Sequence, residues 1–177
     1  MRLRWTRALY PALLLVVLTA ASIASLVAMA GYTRAVLESQ QNPETLAALQ
    51  QVFPEATFYS FDIDTEVYTV YNNGRTHIGY AFYGSKWGYI SNITVLVGLE
   101  DSQTIRGIYV TKQLESPQYW KRLVDKNFFD QFDGIKVADC NLERYGGILD
   151  TVTGATYSSR GVVAAVQDAL TKIEYID

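Results

Sequence analysis

The sequence predicts an α+β fold: an antiparallel sheet with flanking helices, preceded by one N-terminal transmembrane helix. Three observations carry this. The 25 residues from Ala8 to Tyr32 hold no charge, the stretch from Thr57 to Lys112 is rich in Tyr, Val, Ile and Thr, and the C-terminal segment repeats apolar residues at helical spacing.

The apolar run comes first. At 1.5 Å per residue it reaches about 37 Å, enough to cross a hydrocarbon core of about 30 Å with some tilt. Arg2, Arg4 and Arg7 precede it, and only Arg34 follows closely. The positive-inside rule then puts the N-terminus in the cytoplasm and the remaining chain outside, on a single-pass anchor in the cell membrane. Residues 1–34 are thus expected to form the cytoplasmic tip and anchor, and residues 35–177 one extracytoplasmic domain. Ala28-Met29-Ala30 also has the small-x-small pattern of a signal-peptide cleavage site, but the apolar run is longer than a usual signal core and favours retention.

After the anchor, Asn42-Pro43-Glu44 has the form of an N-cap followed by proline at the first helical position, and Leu46, Leu49 and Phe53 continue a short helix to Pro54. The β-rich region follows, with turn residues at Asn72-Asn73-Gly74, Gly84-Ser85 and Asp101-Ser102. Ile93, Val95, Val97 and Leu99 alternate with smaller or polar residues, and Ile105, Ile108 and Val110 resume an apolar strand, so the turn near Asp101 closes a hairpin. Leu114 to Gly147 is irregular and aromatic, which suits short helical turns and loops. Val162, Val166, Ala169, Leu170 and Ile173 then mark one face of an amphipathic helix, with Gln167, Asp168 and Lys172 turned away and Ser158 or Ser159 as its cap.

Charge and cysteine content exclude several functions. Beyond the span, twelve basic residues stand against eighteen acidic ones, a net charge of −6, which argues against a nucleic-acid partner. One cysteine, Cys140, and one histidine, His77, supply neither an internal disulfide nor a ligand set for zinc or an iron–sulfur cluster. Cys140 reads as a buried small apolar residue and His77 as a structural or surface residue. Any redox role therefore needs an organic cofactor.

Chemistry concentrates in Asp150-Thr151-Val152-Thr153-Gly154-Ala155-Thr156-Tyr157-Ser158-Ser159-Arg160, where small hydroxyl residues lead into a helix start. Unpaired N–H groups and the positive helix end suit a phosphate there, and Gly154-Ala155 lets a bulky group approach the backbone. A Ser/Thr-rich turn that merely caps the last helix has the same composition. Asp-x-x-Thr-Gly-Ala-Thr resembles the flavinylation motif of the FMN-binding subunits of the Rnf complexes (RnfG) and of the Na⁺-translocating NADH:quinone reductase (NqrC). The resemblance extends through Gly88–Leu99, Thr104–Ile108, the Glu115-Ser116-Pro117 loop, Phe129-Asp130-Gln131-Phe132 and Arg160–Val163, and covers roughly residues 46–169. Where the family follows Glu-Thr-Pro with Gly-hydrophobic-Gly, this chain has Gln118-Tyr119-Trp120.

The resemblance implies FMN joined covalently to Thr156 by a phosphoester, with Thr153, Gly154, Ala155, Ser158, Glu115 and Ser116 around the cofactor. It further implies a flavin transferase that recognises the motif, including Asp150, and partnership with the other membrane and redox subunits of an Rnf-type ferredoxin:NAD oxidoreductase coupled to Na⁺ or H⁺ translocation. The chain would be a non-catalytic relay in that complex, and RnfG is favoured over NqrC. Tyr119 and Trp120 are candidates to flank the flavin ring, and Lys112 to offset its charge. A free-standing anchored FMN domain feeding an extracellular reductase, and a non-redox ligand-binding module, are the alternatives.

Overall fold

The computed structural model describes residues 11, 13–29 and 41–176. The chain separates into two units, Met1–Gln41 and Asn42–Asp177. Residues 13–29 are helical. Among the described residues no helix is long and apolar enough to cross a membrane, and the predicted span, residues 8–32, lies partly outside them.

The second unit begins with α1, Pro43–Val52. Asn42 caps it as its sequence predicts: its Oδ1 accepts the Glu44 N–H at 2.9 Å, and proline occupies the first turn, where its missing N–H costs nothing. Phe53 ends the helix with non-helical φ −121° and ψ 84°, in keeping with the bias of a residue before proline against the α region.

Five strands follow, β1 Ala56–Asp62, β2 Val67–Asn72, β3 His77–Trp87, β4 Asn92–Leu99 and β5 Ile105–Lys112. They pair antiparallel in sequence order, β1-β2-β3-β4-β5. The Asn72 carboxamide closes the β2–β3 turn by accepting the N–H groups of Gly74 and Thr76, and Asp101 closes the β4–β5 hairpin by accepting that of Gln103. Both turns lie where the sequence predicts them.

The third predicted turn does not form. Gly84 and Ser85 lie inside β3, opposite Val95 and Thr94 of β4, and the chain turns later, at Gly88–Ser91. A side chain on Gly84 would lie 2.1 Å from the Ala165 carbonyl oxygen and 2.5 Å from the Ala169 nitrogen. The glycine is there because the C-terminal helix presses onto the strand, not because the chain reverses. Gly84→Ala is expected to cost about 3 kcal/mol, the upper part of the overpacking range, because both clashing atoms are backbone. Urea denaturation checks this, and a loss below about 0.5 kcal/mol would mean that the helix backs off freely.

Both sheet faces are covered. On one, Leu49, Val52 and Phe53 of α1 pack with Val70, Ala81 and Leu96. On the other, Phe82, Ile93, Val95 and Val97 meet Val162, Val163, Val166 and Ala169 of the last helix, α3, Thr156–Leu170. Phe128 and Phe132 join this larger core from a 3₁₀ turn, Phe128–Phe132. Each of these fully buried large side chains contributes about 1.5–3 kcal/mol. Between β5 and α3 the chain forms α2, Pro117–Asp125, and short 3₁₀ turns, as the irregular pattern predicts. Two polar residues predicted to turn away from the last helix's packed face do not, and one of them, Lys172, lies beyond α3 in the 3₁₀ turn Thr171–Tyr175. Asp168 accepts the Ser85 N–H at 3.0 Å and pairs with Lys86 at 2.8 Å, while Lys172 reaches the Tyr83 carbonyl and Glu66.

Candidate functional site

The segment before α3 is fastened residue by residue. The Gln131 carboxamide brackets Asp150, accepting its N–H at 2.8 Å and donating to its carbonyl at 3.5 Å. The Val152 N–H donates to Ser159 Oγ at 3.1 Å, and that hydroxyl donates onward to the Ala155 carbonyl at 3.1 Å. The Ala155 N–H bonds the Val152 carbonyl at 2.9 Å and closes a turn whose third residue, Gly154, has φ +80°. Only glycine takes that conformation without strain.

The helix therefore starts at Thr156, and neither Ser158 nor Ser159 caps it. Both lie within its first turn, Ser159 tying the preceding loop down and Ser158 donating to Glu115. No side chain caps α3. The N–H groups of Thr156, Tyr157 and Ser158 have no intrahelical acceptor, and they concentrate the helix's positive end at the Thr156 side chain.

A cleft of about 310 Å³ opens there, walled on one side by Gly154–Ser158 and on the other by Tyr89 and Tyr119. Tyr89 and Tyr119 pack edge to face with centroids 5.2 Å apart, and Tyr157 lies 5.9 Å from Tyr89. Thr156 is half-buried, whereas Tyr157 is 64% exposed. Behind the helix start, Arg160 carries a buried Nε with no hydrogen-bond partner, its guanidinium 6.0 Å from the Tyr157 ring.

Glu115 joins the two walls. It is 6% exposed, and its carboxylate accepts the N–H groups of Tyr89, Ile90 and Ser91 at 2.9–3.1 Å together with the Ser158 hydroxyl. Burial alone would push this carboxyl up. The Ser158 hydroxyl and the N–H groups of Ile90, Tyr89 and Ser91 together outweigh burial and hold it below the usual glutamate range. One side chain thus fixes the β3–β4 turn, which carries Tyr89, against the start of α3.

Of the residues singled out from sequence, Thr156, Gly154, Ala155 and Ser158 meet at the cleft, and Tyr119 joins them. Thr153 is exposed and lines a neighbouring groove with Arg122, Asp125 and Lys126. Glu115 and Ser116 do not line the cleft; Ser116 stands before α2, its carbonyl accepting the N–H groups of Tyr119 and Trp120 at 3.0 Å. Trp120 packs on Phe129, 5.5 Å away, and Lys112 borders a separate groove beside α1. His77 bonds the Gly79 carbonyl and packs on Tyr80, a structural role. Burial pushes the Cys140 thiol up to about 12, which makes it inert. Among the described residues no group of His, Cys, Asp and Glu could hold a metal. Sequence reasoning missed Tyr89 and Tyr157 as wall residues, although Tyr157 adjoins Thr156.

The model of the FMN-binding domain family matches residues 88–171, from the glycine that opens the β3–β4 turn to the end of α3. The G subunit of the ion-translocating oxidoreductase complex of Methanosarcina acetivorans is 29% identical over 167 residues, covering 88% of this chain and 89% of the relative. The corresponding proteins of Vibrio atlanticus and Stutzerimonas stutzeri are 35% and 27% identical, over 51% and 73% of this chain. The chain spans 45% of the Vibrio protein's length and 65% of the Stutzerimonas protein's. Among solved structures, NqrC of Shewanella oneidensis aligns with a TM-score of 0.46 at 20% identity, over 69% of this chain and 70% of that one.

Proposed function

We propose that this chain, whose residues 88–171 match the FMN-binding domain family, carries FMN covalently on Thr156 and relays electrons as the RnfG component of an Rnf-type ion-translocating oxidoreductase. The observation that carries this reading is the Thr156 side chain itself, at the uncapped first residue of α3 and on the wall of a tyrosine-lined cleft.

The residues present fit the cofactor at both of its ends. A flat tricyclic ring takes flat neighbours, and Tyr89, Tyr119 and Tyr157 supply them. The cleft lies near the low end of the ~300–1,000 Å³ usual for small-molecule sites, which suits a ring left open to a redox partner. A phosphate esterified to Thr156 keeps one negative charge, which the N–H groups of the helix start stabilise. The orphaned Nε of Arg160 adds a cation beside that same turn. Bound FMN supplies one- and two-electron redox chemistry; the protein holds the ring, tunes it through neighbouring hydrogen bonds and ties it down.

Attachment requires a separate flavin transferase acting on FAD. The Thr156 oxygen bonds to the FMN-side phosphorus, the phosphoanhydride bond breaks, AMP leaves, and the hydroxyl proton passes to a base of the transferase. The exposed Asp150 carboxylate, on a backbone fixed by Gln131, is available for recognition. Residues 8–32 cross the cell membrane once, residues 1–34 forming the cytoplasmic tip and anchor and residues 35–177 the extracytoplasmic FMN-binding domain. The neighbours are the membrane and redox subunits of the complex, which couples electron flow to Na⁺ or H⁺ movement.

The test is in-gel flavin fluorescence of the full chain after denaturing electrophoresis, following co-expression with a flavin transferase. A fluorescent band at the chain's mass is expected. Its absence beside an active transferase would overturn covalent attachment.

A further inference from the structure

We propose that Arg122 is the side chain that recognises the phosphate of the flavin nucleotide, an inference that rests on the reading of the Thr156 end of the cleft as the phosphate seat.

Arg122 lies on α2, one turn after Tyr119, so a single helix face presents both a cleft-wall ring and a guanidinium. The guanidinium packs directly against the turn that leads into Thr156. A side chain on Gly154 would lie 1.7 Å from Arg122 Nη1 and 3.0 Å from its Cζ, so Arg122 fills the space that glycine leaves. Gly154 is also a wall residue of the cleft and stands two residues before Thr156. Arg122 itself lines the neighbouring groove with Thr153, and Gly154 stands between that groove and the cleft.

Nothing else claims this cation. Among the described residues Arg122's side chain makes no ion pair and no hydrogen bond, although Asp125 lines the same groove. The Asp125 carboxylate is taken by Lys121, whose Nζ lies 2.7 and 2.6 Å from its two oxygens. An arginine pressed onto a loop without an acid partner retains donors for an incoming anion. Its planar fork matches phosphate geometry better than a lysine ammonium does.

The experiment compares FMN with riboflavin, which differ by the phosphate alone. Full-length apoprotein, produced without a flavin transferase, is titrated with each in detergent by quenching of flavin fluorescence. Wild type is expected to prefer FMN. Arg122→Gln should lower FMN affinity about tenfold, about 1.4 kcal/mol, and leave riboflavin affinity unchanged. Arg122→Lys should fall between. Lys126→Gln, which removes a charge from the same groove but not from Gly154, should keep the wild-type ratio. Loss of both ligands in equal measure, equal binding of both by wild type, or an equal effect of Lys126→Gln would overturn the assignment. If the FMN preference depends on Arg122 while the co-expressed chain never becomes fluorescent in a denaturing gel, Arg122 stands and covalent attachment falls.

Discussion

Replacing Glu115 with alanine is expected to destabilise the domain by about 4 kcal/mol, because a buried carboxylate leaves behind three backbone donors and a hydroxyl that it alone satisfies. For a domain of this size that corresponds to a fall in Tm of about 10 °C. Glu115→Gln is the sharper variant. Its amide keeps the shape, but one of its two arms becomes a donor and must face either the Tyr89 N–H or a pair of N–H groups. Ser158 can turn its hydroxyl round to accept; the backbone cannot. A loss of about 2 kcal/mol is expected for the amide.

The pH dependence follows from the direction of the Glu115 shift. Its carboxyl titrates lower in the folded chain than in the unfolded one, so the unfolded chain binds the proton first. The stabilisation is complete above the unfolded value, about 4.3, and is lost as pH falls through the folded value. Urea denaturation from pH 7 downward should therefore show wild type and Glu115→Gln converging below about pH 4. A gap that stays constant with pH would mean that the charge is not what the four donors require. In the same variants the Tyr89 wall is released from α3, so, with flavin bound as proposed, its fluorescence anisotropy should drop.

What could be read from the sequence divides along physical lines. Local codes were legible: Asn42-Pro43 set the start of α1, Asn72 and Asp101 set two turns, and the 3.6-residue period of Val162, Val166 and Ala169 set the buried face of α3. Contacts between residues distant in sequence were not. Gly84 carries the composition of a turn, yet it answers to Ala165 and Ala169, some eighty residues on. Ser158 has the chemistry of an N-cap, but its hydroxyl goes to Glu115, forty-three residues away. Glu115 was expected beside the cofactor from the resemblance of Glu115-Ser116-Pro117 to the family's loop, whereas its burial and its bonds to Tyr89, Ile90 and Ser91 depend on the β3–β4 turn folding over it. The cleft wall formed by Gly154, Ala155, Thr156 and Ser158 was legible because it is contiguous. The opposite wall was not, since Tyr89 and Tyr119 come together only when the sheet and α2 have formed.

The largest functional effect is expected at Thr156, where valine keeps the branched shape and removes the one atom through which the proposed phosphoester would form. Thr156→Val should abolish in-gel fluorescence entirely while changing stability by no more than about 0.5 kcal/mol, because a half-buried first helical residue makes no side-chain cap that could be lost. Thr156→Ser should retain fluorescence, since the hydroxyl remains at the same backbone position. Thr151 and Thr153 are the chemical competitors. Thr153 is exposed and faces the groove of Arg122, Asp125 and Lys126 rather than the cleft, and Thr151 borders a further groove with Lys126 and Gln131. Valine at either position should leave the band intact. Gly154→Ala tests the same geometry from the other side. It retains every hydroxyl, but at φ +80° its new methyl both strains the turn and displaces the Arg122 guanidinium. Labelling should drop severalfold although Thr156 is untouched. Persistent fluorescence in Thr156→Val would move the attachment point elsewhere. Wild-type labelling in Gly154→Ala would instead show that the transferase reads the motif as an extended peptide, before the turn closes.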